Sequence, residues 1–254
     1  MTGTLDTAAL AAPVGALLGA LGGLLVPALV ARIPEPADAP APHGAADDSA
    51  DGAGAREPKE PYAAIAAAPG LAGRAAVTSA VAGALVGWSL GWAWPLLFLL
   101  PLVPVGVALA LVDWRTRLLP TWLIGPSYVV LIALVLVCAA ITRDTGDLVR
   151  AGWGWLVAGG LFLALWLVYP RGLGYGDVRL SGVLGIALGY LGWGPLVVGV
   201  YAGFLLGGVG GGLLALTGVV QRRAIPFGPF MLAGALVGVV AGPELWTHLV
   251  TGRR

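Results

Sequence analysis

Two aspartates stand where an acidic side chain is expensive. Asp177 follows two glycines in the stretch RGLGYGDVRL, Arg171 to Leu180, after a long apolar run, and Asp113 sits at the end of another, just before Trp114. A carboxylate at or near hydrocarbon is costly unless it is paired, hydrated or neutralised, so each is a candidate for function. Brought together, two such acids cannot both ionise cheaply. One then keeps a proton while the other activates water, the division of labour that peptide hydrolysis needs. Gly174 and Gly176 suit such a site, because the backbone can turn tightly there and approach a substrate strand with no side chain in the way. Each aspartate also has an ordinary reading when taken alone. Asp177 would start a helix beside Arg179, and Asp113 would be an interfacial charge ending a helix beside Arg115 and Arg117.

Other chemistries lack their residues. The sequence holds two histidines, His43 and His248, no G-x-S-x-G and no H-E-x-x-H, so neither a serine hydrolase nor a zinc protease is spelled out. The single cysteine, Cys138, permits no internal disulfide and no cysteine-rich zinc site, and its apolar surroundings read as packing. The run GGVGGG from Gly207 to Gly212 is not a phosphate loop, since no Lys-Ser/Thr follows it. Neither a metal nor another cofactor is expected.

The elements that must position the aspartates are membrane helices. Of 254 residues, 58% are hydrophobic and 11% charged, and the mean hydropathy is +0.90. Such a chain belongs in a lipid bilayer. Apolar segments near the length of a spanning helix recur, and the strict alternation of a strand barrel is absent, so the expected fold is an all-α, polytopic bundle of about eight transmembrane helices. The spans read as 10–30, 74–92, 95–112, 122–141, 152–169, 178–192, 195–220 and 228–249, with 95–104 broken by prolines and partly irregular. The first lacks a basic start, having Asp6 ahead and Arg32 behind, so 1–32 reads as a retained anchor. Residues 33–70 turn to Ala, Pro, Gly and acids, with Tyr62 the only aromatic, which predicts a disordered cytoplasmic linker; Asp47, Asp48 and Asp51 within it form a solvated run. Residues 71–254 form the seven-helix core. Glycines four apart at 15, 19 and 23, at 199, 203, 207 and 211, and at 234, 238 and 242 predict close helix contacts.

Basic residues set the orientation. With the amino terminus outside, ten of the 14 Lys and Arg fall on inner segments, which puts Asp113 and Asp177 at the cytoplasmic ends of their spans. The net charge of +1 points to no partner beyond the lipid, and no nucleic acid is expected.

Three blocks carry a resemblance. Gly174 to Leu180, GYGDVRL, resembles the second aspartate motif of the type IV prepilin peptidases, a family of aspartic proteases working at the membrane edge. Asp113 to Pro120, DWRTRLLP, resembles the first motif, and Ile225 to Gly234, IPFGPFMLAG, resembles a third block. The resemblance implies an endopeptidase that removes the basic leader of prepilin-like membrane proteins, pseudopilins or Flp-type pilins included, after a glycine at the cytoplasmic face. It assigns catalysis to Asp113 and Asp177 and the turn to Gly174 and Gly176. Arg179 and the 225–230 loop with Pro226 and Gly228 would hold their surroundings. The substrate would arrive sideways as a helix, with room left by the glycine-rich seventh and eighth spans. Two departures stand out. The cytosolic domain with paired cysteines that accompanies N-methylation in two-activity members is replaced by the cysteine-free linker, which argues against that second activity. The position after Leu119-Pro120, often acidic in the family, is Thr121. Rival readings are an ion-coupled transporter, an inactive scaffold of pilus assembly, or a broader G-x-G-D signal-peptide peptidase.

Overall fold

The computed structural model describes residues 2–35, 60–170, 172–210 and 226–252. Helix follows helix through them: α1 (Thr2–Leu24), α2 (Val26–Ala31), α3 (Tyr62–Ala66), α4 (Leu71–Leu90), α5 (Leu96–Thr116), α6 (Thr121–Thr142), α7 (Thr145–Val168), α8 (Tyr175–Leu191), α9 (Trp193–Leu205) and α10 (Gly228–Thr251). Leu206–Gly210 continues α9 as a π-helix. Among the described residues six helical stretches are long and apolar enough to cross a membrane, namely Ala8–Ala31, Leu71–Leu90, Leu96–Thr116, Thr121–Thr142, Thr145–Val168 and Gly228–Val250. The expected sixth span is α8, of 17 residues, and the expected seventh opens as the shorter apolar helix α9 with its extension, its last part, 211–220, lying outside the described residues. Hydrocarbon leaves a chain this apolar few alternatives, because helices satisfy their own backbone.

Boundaries differ where local chemistry outweighs hydropathy. Helix α7 starts seven residues before the expected Gly152, because the Asp144 carboxylate accepts from Gly146 N at 2.7 Å and Asp147 pairs with Arg150, which lets a polar first turn be helical. The first span breaks at Leu25, where Pro27 has no N–H to continue the ladder. The proline-rich start of the third span is regular helix with Pro101 and Pro104 inside it. Gly22 is why Pro104 fits: a Cβ there would lie 2.8 Å from the ring.

The expected linker lies largely at 36–59, outside the described residues, and so do His43 and the acidic cluster. Its last stretch is ordered instead. Tyr62 is 3% exposed and Ile65 fully buried in α3, which packs on α2 and on the carboxyl-terminal end of α5. Glu35 accepts from Ala63 N at 3.2 Å, Tyr62 meets Thr116, and Arg115 pairs with Glu60 at 2.8 Å, so the segment clasps the very turn that carries Asp113.

The glycine faces close gaps rather than leave them. In α9 and α10 a Cβ on Gly194 would lie 2.6 Å from Gly242 O, and one on Gly238 would lie 2.7 Å from Gly199 Cα; α1 meets α4, and α7 meets α8, in the same way. Open room lies elsewhere, in a cavity of about 310 Å³ between α4, α5, α8 and α10. Overpacking a glycine seam costs about 1–3 kcal/mol per substitution, occasionally more. Gly238→Leu is therefore expected to lower the thermal unfolding midpoint in detergent markedly, whereas Gly160→Ala, with nothing within 4 Å, leaves it unchanged or slightly raised.

Candidate active site

Three helix ends converge. Helix α5 delivers Asp113 in its last turn and stops at Arg117, a left-handed residue (φ 55°) whose N–H donates to Asp113 O at 2.8 Å. Helix α8 delivers Asp177 in its first turn, and α10 begins at Gly228. The first N–H groups of a helix have no intrahelical acceptor and carry partial positive charge, so a helix start is a natural seat for a carboxylate.

Each aspartate uses one. Asp113 Oδ2 accepts from Gly228 N at 2.9 Å, and Asp177 Oδ2 accepts from Gly174 N at 3.0 Å while its own N–H returns a bond to Gly174 O at 3.0 Å. The two acids are 5% and 7% exposed, and the charge of Asp113 is felt at Asp177. Among the described residues no third His, Cys, Asp or Glu joins them to make a metal cluster, and no other group donates to either carboxylate. Glycine is required at 228 for space: a Cβ there would lie 2.7 Å from Asp113 Oδ2.

The sequence-derived residues fall into two sets. Asp113, Asp177, Gly174, Gly176 and Gly228 are brought together, and Pro226 is buried two residues before Gly228. Ile225 and Arg171 lie outside the described residues. Arg179 bonds neither carboxylate. Its guanidinium lies 4.7 Å from the centroid of the Tyr175 ring and donates to Thr121 Oγ1, while Tyr128 OH donates to Arg179 O at 2.8 Å. Thr121, the departure noted above, thus receives the arginine with a hydroxyl. Phe227, which caps α10, packs with Phe162 and Phe204 at ring separations of 6.0 and 5.5 Å, and Gly207 leaves the space for its ring.

One contact was not legible beforehand. Leu119 wedges between two of the site glycines: a Cβ added at Gly176 would lie 2.7 Å from Leu119 Cβ, and one at Gly228 would lie 3.3 Å from Leu119 Cδ2. Only the spacing of Leu119-Pro120 after Asp113 hinted at it. Chemically, two buried carboxylates at converging helix ends, each with one oxygen anchored and one unbonded by described groups, can hold and exchange a proton across a bound water.

Comparison with known proteins gives a consistent picture. Residues 100–216, which include both aspartates, match the model of the type IV leader peptidase family. The chain is 31% identical over 167 residues to the prepilin leader peptidase/N-methyltransferase of Aeromonas hydrophila, covering 62% of this chain and 54% of that protein. It is 34% identical over 113 residues to the leader peptidase HopD of Escherichia coli, covering 42% of this chain and 67% of that one. A prepilin leader peptidase/N-methyltransferase of Bacillus subtilis is 30% identical over 122 residues, 47% of this chain and 48% of its own length. The chain spans about half the length of the prepilin leader peptidase/N-methyltransferases it matches. No solved structure matches.

Proposed function

The chain belongs to the type IV leader peptidase family, and we propose that it is a membrane-embedded aspartic endopeptidase that removes the leader from prepilin-like membrane proteins at the cytoplasmic face. The observation that carries this reading is the pairing of Asp113 and Asp177, buried at converging helix ends and each held by a backbone N–H. The pair shares one proton. The ionised member takes a proton from water as the water oxygen attacks the scissile carbonyl carbon, and the protonated member gives its proton to the carbonyl oxygen. The diol then collapses: the amide nitrogen takes a proton from the first acid and leaves as an amine, and the second acid recovers one, so the pair ends as it began.

The excess of basic residues on alternate segments supports a cytoplasmic position for the pair. A transporter reading would want its charges near mid-membrane, whereas both aspartates sit in terminal turns of their helices. Only the peptidase half of the relatives' names is carried over, since Cys138 is the sole cysteine and lies buried in α6.

A peptide bond reaching a site at the membrane edge belongs to a chain that continues into lipid. The cavity lined by Val103, Gly106, Ala110, Pro229 and Leu232 begins one turn from Asp113, and along α5, from Leu99 to Ala110, it runs for roughly 16 Å. We assign it to the apolar segment of the substrate. Co-expression with type IV, pseudopilin and Flp-type prepilins is expected to show loss of the leader by mass for at least one. A photo-cross-linker at Leu232 captures that substrate, and one at Ile132 on α6 does not. The absence of processing in all three would return the chain to the scaffold or transporter reading, and capture at Ile132 alone would move the entry path.

A further inference from the structure

The turn joining α5 to α6 touches every part of the site although it supplies none of the reacting groups. It starts where Arg117 N–H donates to the carbonyl of Asp113 itself. In its middle Leu119 stands between Gly176, which precedes Asp177, and Gly228, which holds Asp113. It ends where Thr121 receives Arg179, two residues beyond Asp177. The two carboxylates belong to helices far apart in sequence, and the ring contact that joins α5 to α8 directly, Phe98 against Tyr190, lies at the ends of the two helices remote from the acids. A side chain caught between the two helix starts is the simplest thing that can fix their separation.

We propose that this turn, acting through the Leu119 side chain, sets the distance between the two carboxylates and keeps water out of the space beside them. Leu119 is a positioning residue. It touches backbone that holds the acids, and the fit is tight, because Gly176 has no room for a methyl group against it. Truncation to alanine leaves a void at the membrane edge next to polar groups, which water can fill. Water there screens the two charges from one another and loosens the helix starts, so the proton they share is held less exclusively.

The kinetic arm of the test rests on the peptidase reading, and the second arm does not. In cleavage assays Leu119→Ala is expected to lower kcat about tenfold to a hundredfold with KM little changed, because misplacement by about 1 Å costs that much. The acid and alkaline limbs of its pH profile move towards each other. Leu119→Met, of similar volume, restores both. Leu131→Ala, a fully buried α6 leucine away from the site, lowers stability without moving the limbs. Infrared titration of the carboxyl groups in the purified protein reads the same coupling with no substrate present: two well-separated steps in the native protein and in Leu119→Met, closer steps in Leu119→Ala. Unchanged steps in Leu119→Ala, or an equal change in Leu131→Ala, would overturn the proposal even if the protein cleaves prepilins. Altered steps in Leu119→Ala alone would uphold it even if no prepilin is cleaved.

Discussion

Asp113→Asn and Asp177→Asn are each expected to abolish leader removal, with a loss of at least about a thousandfold, while the protein still inserts and folds. The loss is that large because a pair sharing one proton acts as a unit: removing either member removes both the base and the acid of the cycle. The fold survives because asparagine keeps the shape and still offers an oxygen to the helix-start N–H, from Gly228 in one variant and from Gly174 in the other. A charge need not be replaced there, since Arg179 bonds neither acid. For the native protein the same argument gives a bell-shaped pH profile. At low pH both carboxyls are protonated and no base remains; at high pH both are ionised and no acid remains, and the two midpoints belong to the pair. Assay by mass of the co-expressed prepilin, with circular dichroism of the purified variants, checks the prediction. Full processing by either variant would remove the dyad mechanism.

What the sequence revealed and what it hid divides along physical lines. Asp113 and Asp177 were legible because an acid in apolar surroundings is rare, and Gly174, Gly176 and Gly228 because a motif fixed them relative to those acids. The spans were legible as hydropathy, which sums over many residues and tolerates local exceptions. Helix starts were not, since a single cap decides them: the Asp144 carboxylate and the Asp147–Arg150 pair draw α7 out by two turns. The α3 clasp has five residues, too few for periodicity to show, and its two buried anchors, Tyr62 and Ile65, sit among alanines. Glycine spacing correctly signalled close contact on α9 and α10, but the room for a substrate expected there is taken up by backbone meeting backbone. Leu119 is one leucine in a leucine-rich chain, and its place between two glycines far off in sequence exists only once three helices converge.

The second large effect is expected from one methyl group. Gly228→Ala keeps the backbone N–H that holds Asp113, so the hydrogen bond itself is not deleted. The new Cβ, however, would lie 2.7 Å from Asp113 Oδ2 and 3.2 Å from its Cγ. Ordinary contact needs about 3.5 Å, so the carboxylate or the start of α10 has to yield by roughly 0.8 Å. Neither moves freely. Asp113 is in a terminal turn fastened through Arg117 and clasped by the segment that carries α3, and Phe227, just ahead of Gly228, is packed against the stacked rings of Phe162 and Phe204. A displacement of that size at a reacting group costs about a hundredfold in rate. The expected result is therefore a fall of that order in kcat, with KM close to native because the cavity that receives the apolar segment keeps its lining. Gly160→Ala, on the exposed face of α7 with nothing within 4 Å, serves as the control and processes prepilin like the native protein. Native rates in Gly228→Ala would mean that the carboxylate of Asp113 tolerates displacement, and with it would fall the requirement that the two acids be held at a fixed separation.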